Sequence, residues 1–380
     1  MFNPRVVEIP SSLIRAIAAK RTPTAIDLGL GEPSLKPNMA HFEYAMAYVR
    51  DHGVKYTPNA GDHALREAIA RHYNYPQMHR AENVCITTGS QEAMFVTIKT
   101  LLDPSADELL IVEPAFPSYA KMAALEGIVV RAVSMDEAQD FAFDAERILA
   151  AIGERTRAIV ICSPNNPTGR VISRAQAAAL VRGLARRQGD PIWLIHDEIY
   201  REQTYIEGEA YLADSYPYAI VTNSLSKSNA LTGLRLGWIL APHAFIEQAV
   251  KAHAWLTSCA DTFAQRVALH VFTTVGGVGE HAEWYRGQQT GVVNALRSSG
   301  LRFIEPEGSF YACVRLPDGV PSLDAAIALV DGYDVVTIPG VAFGPVFDAW
   351  LRLSWVAPLD QVTEGIGRIA AYSRSDAFAR

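Results

Sequence analysis

The stretch AIVTNSLSKSNALTGLRLGWIL, residues 219–240, carries in one line the pattern that decides the fold. Two apolar runs, Ala219–Asn223 and Leu236–Leu240, bracket a turn built of small hydroxyl residues, one lysine and one arginine. Short apolar runs closed by turn residues read as buried strands. The unit repeats upstream at Val84–Thr88, Leu109–Val112, Ile128–Val133, Ala158–Cys162 and Ile192–His196. Helical patterns stand between several of these runs. Ser90–Leu102 has Ala93, Met94, Val96, Thr97, Ile98 and Leu101 at helical spacing, and Ser118–Glu126 and Ser173–Gln188 follow. Strands joined through helices run parallel and are covered on both faces, which predicts an α/β fold with a large, mostly parallel sheet sandwiched by helices. After about residue 280 the signals become shorter and mixed, as at Ser309–Val314 and Val335–Ile338. The expected division is a large domain over 41–280 and a smaller α+β domain made of 1–40 together with 281–380.

Length and composition agree with this division. A chain of 380 residues exceeds the usual size of one domain. Hydrophobic residues at 49% and charged residues at 20% are a globular balance rather than a disordered one. The net charge of −7 argues against nucleic acid, which needs clustered Lys and Arg. No apolar run approaches the ~18 residues that cross a bilayer; Val335–Phe347, free of charge, is broken by Pro339, Gly340, Gly344 and Pro345. The N-terminal segment has scattered charges and no apolar core of a secretory signal. Four cysteines stand far apart without a C-x-x-C pair, which suits a reducing compartment and neither a disulfide scaffold nor a zinc site. A cytoplasmic protein with no metal is expected.

The polar residues fall at the ends of the apolar runs. Gly89-Ser90-Gln91, Asn165-Asn166-Pro167-Thr168-Gly169, Asp197-Glu198-Ile199-Tyr200 and Ser224-Leu225-Ser226-Lys227 each follow one directly. In open α/β sheets that edge binds ligands. Lys227, desolvated among small residues, can become a Schiff-base nucleophile, although a lone lysine commonly just caps a strand end in solvent. Arg235 and Ser224 suit a phosphate, and the helix beginning near Ser90 offers free N–H groups and a positive dipole end; an ordinary serine cap is the plainer reading of Ser90. Asp197 beside a pyridine nitrogen would keep it protonated, and Tyr200 and Asn166 could bond a ring oxygen. Singly, Asp197 reads equally as a helix cap and the NPTG element as a turn. Taken together, a reactive lysine, a phosphate arginine, a helix start, an acid and two hydrogen-bonding side chains describe pyridoxal phosphate.

The stretch SLSKSNALTGLRLG resembles, position by position, the pyridoxal-phosphate attachment signature of class I/II aminotransferases, the aspartate-aminotransferase superfamily of fold type I. The N-P-T-G element at 166–169, D-x-x-Y at 197–200 and T-x-G-x-x-x-A at 87–93 are similar to that family's. So are the block from Tyr56 through Gly61 to Leu65-Arg66, the turn Gly29-Leu30-Gly31-Glu32-Pro33 and the late Arg352-Leu353-Ser354. These elements stand in family order and span residues 28 to 354.

The resemblance implies a seven-stranded-type sheet, pyridoxal 5′-phosphate as cofactor, and amino acids and 2-oxo acids as substrates of a ping-pong aminotransferase. It implies that Lys227 attaches the cofactor and moves the proton during catalysis. Asp197 would pair with the ring nitrogen, Asn166 and Tyr200 with the ring oxygen, and Phe116 would stack on the ring. Ser90, Gln91, Ser224 and Arg235 would hold the phosphate, with Tyr56 reaching in from the second subunit of a homodimer. Arg352 would clamp the substrate carboxylate, helped by Asn166 and the backbone at Gly31. Phe116 stands where the aspartate-specific branch has tryptophan, and Tyr119, Tyr56 and the N-terminal segment would form an apolar pocket for the side chain. A carbon–sulfur β-lyase or other elimination or cyclising enzyme uses the same motifs and stays open as the alternative. Gly29-Leu30-Gly31 is not a dinucleotide fingerprint, and His52, His63, His72 and His79 are spaced as surface residues.

Overall fold

The computed structural model describes residues 2–375. Its main sheet has seven strands, in spatial order Val84–Thr87, Gly237–Leu240, Ala219–Ser224, Trp193–Asp197, Thr156–Cys162, Glu108–Glu113 and Val129–Ser134. Every apolar run expected as a strand of this sheet is one. Ala219–Ser224 is buried at every position, because helices lie on both faces and leave no room for an alternating polar pattern. The edge strand Val129–Ser134 is largely exposed and carries Arg131, whose guanidinium bonds Glu108 at 2.9 Å. A charged edge of this kind discourages pairing with another chain.

Gly237–Leu240 runs antiparallel to both of its neighbours. The connection before it holds only the single-turn helix Leu225–Ser228 and a 3₁₀ turn, Thr232–Leu234. With no crossover helix the chain must return in the opposite direction. That reversal matters for function, since Ser224 and Thr87 both sit in register with Gly237. The loop bearing Lys227, the approach to Arg235 and the start of helix Gly89–Leu101 therefore share one edge. Helix Arg174–Ala185 begins in a reciprocal cap, in which Ser173 and Gln176 satisfy each other's backbone N–H groups.

A second, antiparallel sheet has the order Ile338–Pro339, Trp350–Ser354, Tyr311–Arg315, Phe303–Ile304. The short strand Ile26–Asp27 pairs parallel with Val335–Val336. Just beyond it, Leu28 donates to Val336 at 3.0 Å and accepts from the Ser354 N–H at 2.8 Å. One apolar cluster runs from Val160 and Ile195 in the main sheet through Tyr200, Phe310 and Tyr311 to Leu353 and Trp355. The ligand edge of the main sheet thus faces the second sheet across a continuous core.

Candidate active site

Ser224 accepts the Ser226 N–H at 3.2 Å and so caps the turn that lifts Lys227 off its strand. Lys227 Nζ donates to the Gly31 carbonyl at 2.6 Å. Burial lowers this amine to about 8, with Arg352 and Arg235 adding to the shift and Glu32 opposing it. An ammonium so tuned gives up its proton near neutral pH and leaves a nucleophilic amine.

Arg235 ends the Thr232–Leu234 turn at a left-handed φ of 52°, and its Nη1 donates back to the Thr232 carbonyl at 2.8 Å. A Cβ on Gly89 would lie 2.5 Å from Arg235 Nη2, and one on Gly237 would lie 2.5 Å from Ser90 N. The two glycines keep bare a cradle made of a guanidinium and the first N–H groups of helix Gly89–Leu101. Such a cradle fits a phosphate dianion in both charge and donor chemistry. Ser90 is half-buried there, and Gln91, exposed, donates to Ser118 Oγ at 3.3 Å.

Asp197 ends its strand buried, accepting from Tyr119 Oη at 2.6 Å and from the Ile199 N–H at 3.2 Å. Burial nevertheless pushes its carboxyl up to about 6, against the Tyr119 and Ile199 hydrogen bonds. A buried acid whose side-chain partner is a neutral phenol fits the protonated nitrogen of a pyridine ring. Phe116 stands edge-on to Tyr119, ring centroids 5.9 Å apart. Behind Asp197, Glu198 is fully buried among Tyr75 Oη at 2.7 Å, Arg201 Nη1 at 2.8 Å and His196 Nδ1 at 3.0 Å. Burial would raise the Glu198 carboxyl, but His196, Arg201 and Tyr75 together hold it low.

Arg352 is also buried. Its Nη1 donates to Asn166 Oδ1 at 2.9 Å and its Nη2 to the Gly29 carbonyl at 2.6 Å. Its Nε has no hydrogen-bond partner among the described residues. A buried donor left over on a guanidinium already anchored at its tips fits a carboxylate ligand. Tyr200 Oη and Tyr311 Oη are 3.2 Å apart.

Lys227, Ser224, Arg235, Ser90, Gln91, Phe116, Asn166, Asp197, Tyr200, Gly31 and Arg352 thus gather where the main sheet's ligand edge meets the second sheet. Tyr56 does not join them. Its side chain is 89% exposed, on a loop pinned by Asn59 to Ser258 and by Thr262 to Lys55. Tyr119, expected to line an apolar pocket, spends its hydroxyl on Asp197 instead. The sequence reading missed Tyr311 and the cluster around Glu198, although Glu198 lies inside the Asp197–Tyr200 element, where a second acid on a buried strand end was a signal. His52, His63, His72 and His79 lie on the surface. Among the described residues no group of His, Cys, Asp and Glu is arranged for a metal, and no helix is long and apolar enough to cross a membrane.

A buried lysine, an arginine beside a helix start, a buried acid and a buried arginine at the edge of such a sheet fit a pyridoxal-phosphate transferase of fold type I. The chain belongs to the family described as aminotransferase class I and II, whose model matches residues 24–369. It is 31% identical over 376 residues to an aspartate aminotransferase of Pyrococcus horikoshii, covering 96% of this chain and 95% of that one. It is 28% identical to an aromatic-amino-acid aminotransferase of Thermococcus litoralis over 90% of each chain. The crystal structure of an aspartate aminotransferase from Thermotoga maritima superposes with a TM-score of 0.91 at 28% identity, covering 98% of this chain and all of that one. The protein is therefore an enzyme, a transaminase, and pyridoxal 5′-phosphate is its cofactor. These relatives are all aminotransferases, which favours transamination over the lyase alternative.

Proposed function

We propose that the enzyme transfers the amino group of an α-amino acid to a 2-oxo acid in two half-reactions at the edge described above. The convergence of the Lys227 amine with the Arg352 clamp carries this reading. When bound, pyridoxal phosphate supplies a carbonyl carbon that takes up the amino group and a conjugated ring that accepts the electron pair released at the α-carbon.

The protein's part is to bind, orient and move protons. Arg235, Ser90, Gln91 and Ser224 would hold the phosphate. Asp197, kept in place by the Tyr119 hydroxyl, would keep the ring nitrogen protonated. Phe116 would stack on the ring. Tyr200 and Asn166 would bond the ring oxygen, and Asn166 also steadies Arg352. Arg352 takes the substrate carboxylate, with the backbone at Gly31 beside it. That grip would present the α-carbon hydrogen to Lys227 Nζ, the amine placed to take up and hand back that proton. A positioned amine in this role contributes ~10²–10⁴-fold.

The same reading makes the enzyme a homodimer in which Tyr56 serves the neighbouring site. Tyr56, Val54, Trp255 and Leu256, exposed at 89%, 65%, 93% and 46%, support an apolar contact face of this kind. Residues 41–280 would form the large lobe and 1–40 with 281–380 the small one, supported by the pairing of Ile26–Asp27 with Val335–Val336. Four free thiols suit a cytoplasmic location. Amino acids are the expected donors, with the aspartate and aromatic classes of the relatives tested first.

The test is the visible spectrum of the purified holoenzyme, recorded before and after single amino acids are added. Transamination predicts a band that Lys227→Ala abolishes and that particular amino acids bleach stoichiometrically as a 2-oxo acid forms. Release of ammonia or sulfide with pyruvate, the band persisting, would refute it in favour of the lyase.

A further inference from the structure

Tyr311 touches three parts of the site and has no role in the reading above. It is buried on strand Tyr311–Arg315, where Cys313 lies opposite Arg352 and Tyr311 opposite Ser354. Tyr311 and Arg352 are therefore diagonal neighbours on one face of the sheet. The Arg352 guanidinium carbon lies 4.1 Å from the Tyr311 ring centroid, with the Phe343 ring 5.0 Å away. At its other end Tyr311 carries the hydroxyl that meets Tyr200 Oη at 3.2 Å. That hydroxyl also presses on Gly31, where a Cβ would come within 1.8 Å of it, and the Gly31 carbonyl holds Lys227.

We propose that Tyr311 is a positioning residue coupling the carboxylate clamp to the cofactor's ring oxygen: its ring sets the plane of Arg352 and its hydroxyl directs the proton of Tyr200. The inference rests on the roles given above to Arg352 and Tyr200. A guanidinium held against an aromatic face keeps its N–H groups in one plane, which fixes the orientation in which Arg352 meets a carboxylate. Between two phenols only one proton lies in the hydrogen bond. With Tyr200 turning its O–H toward the ring oxygen, Tyr311 would donate to Tyr200, and a phenol that receives a hydrogen bond is the stronger donor. Ring and hydroxyl therefore act on different observables.

The experiment uses the holoenzyme, with two readouts apart from turnover. One is the pH midpoint of the visible band; the other is the dissociation constant of succinate and of 3-phenylpropionate, unreactive carboxylates followed by the shift they cause in that band. Tyr311→Phe keeps the ring, so both carboxylates should bind within roughly twofold of wild type while the midpoint rises by roughly half a pH unit. In a Tyr200→Phe background the same change should move the midpoint no further. Tyr311→Leu should weaken both carboxylates equally, by roughly tenfold. An unmoved midpoint in Tyr311→Phe, an equal shift in the Tyr200→Phe background, or unchanged carboxylate affinity in Tyr311→Leu would overturn the proposal. If the leucine variant does not accumulate, Tyr311→Met, which also removes the ring while filling the space, is read for the same loss of carboxylate affinity. Arg352→Ala and Tyr200→Phe serve as controls. If the first leaves carboxylate binding intact, or the second the midpoint, the underlying roles are wrong and the proposal falls with them.

Discussion

Asp197→Asn should make the protein without cofactor more stable at neutral pH, although it removes a residue central to the site. The carboxyl, ordinarily near 3.8, stands at about 6 in the fold because burial outweighs its hydrogen bonds. A raised acid disfavours its own ionised form in the native state, and the sign follows. Below pH 3.8 both folded and unfolded chains are protonated and the group costs nothing. Between 3.8 and 6 only the unfolded chain ionises, so stability falls as pH rises, and above 6 the full cost remains. With 1.36 kcal/mol per unit, the cost is about 3 kcal/mol. Asparagine cannot ionise. Its amide oxygen can accept the Ile199 N–H while its NH₂ donates to the Tyr119 hydroxyl, which can accept as readily as donate. Urea unfolding of the two apoproteins at matched concentration, from pH 4 to 7.5, reads the difference directly. The variant's advantage should grow by about 2.5 kcal/mol from pH 4 and level off above about pH 6. A difference that is flat, or that shrinks with rising pH, would refute the argument that Asp197 is a buried charge lacking a cation.

The amine of Lys227, lowered by burial to about 8, implies that cofactor attachment to the apoprotein speeds up as pH rises toward 8 and plateaus above it; stopped-flow absorbance checks this. A rate still climbing toward pH 10 would place the lysine in solvent. Gly237→Ala puts a methyl against the backbone at Ser90, costing about 1–3 kcal/mol of stability and weakening cofactor binding in equilibrium dialysis. Arg201→Met strips the buried Glu198 of its hydrogen-bonded arginine and should cost about 3–5 kcal/mol, read as a fall in thermal midpoint. Adding Glu198→Gln to that variant should recover most of the loss.

Much of this molecule was legible in its residues, and the limits have physical causes. The strands of the main sheet were readable because a strand buried on both faces is mostly apolar, as Leu109–Val112 is throughout. The turn bearing Lys227 was readable because its chemistry is packed into adjacent residues. The reversal at Gly237 was not, since direction depends on what a connection can hold and not on the strand's composition. Tyr311 escaped notice because its importance comes from register with Ser354 and Arg352, a pairing no local pattern encodes. Glu198 and Arg201 look like solvated charges in sequence, and only folding brings Tyr75 from far upstream to bury them. Tyr56 could be assigned only through resemblance, and within one chain it points into solvent.

The position of Leu28 between Val336 and Ser354 has a consequence for how the enzyme is made. Its backbone bonds partners more than 300 residues later in the chain, and the next turn supplies the carbonyls that hold Lys227 and Arg352. On the ribosome the main sheet can assemble as soon as Leu240 has emerged, but the early segment must wait unpaired until the last strands arrive. Contacts of such long sequence separation form slowly, and a waiting segment is exposed to proteases and to wrong partners. A nascent chain halted before Val336 should therefore be compact in its middle and cleavable near Leu28, and competent for catalysis only after its final strands are synthesised.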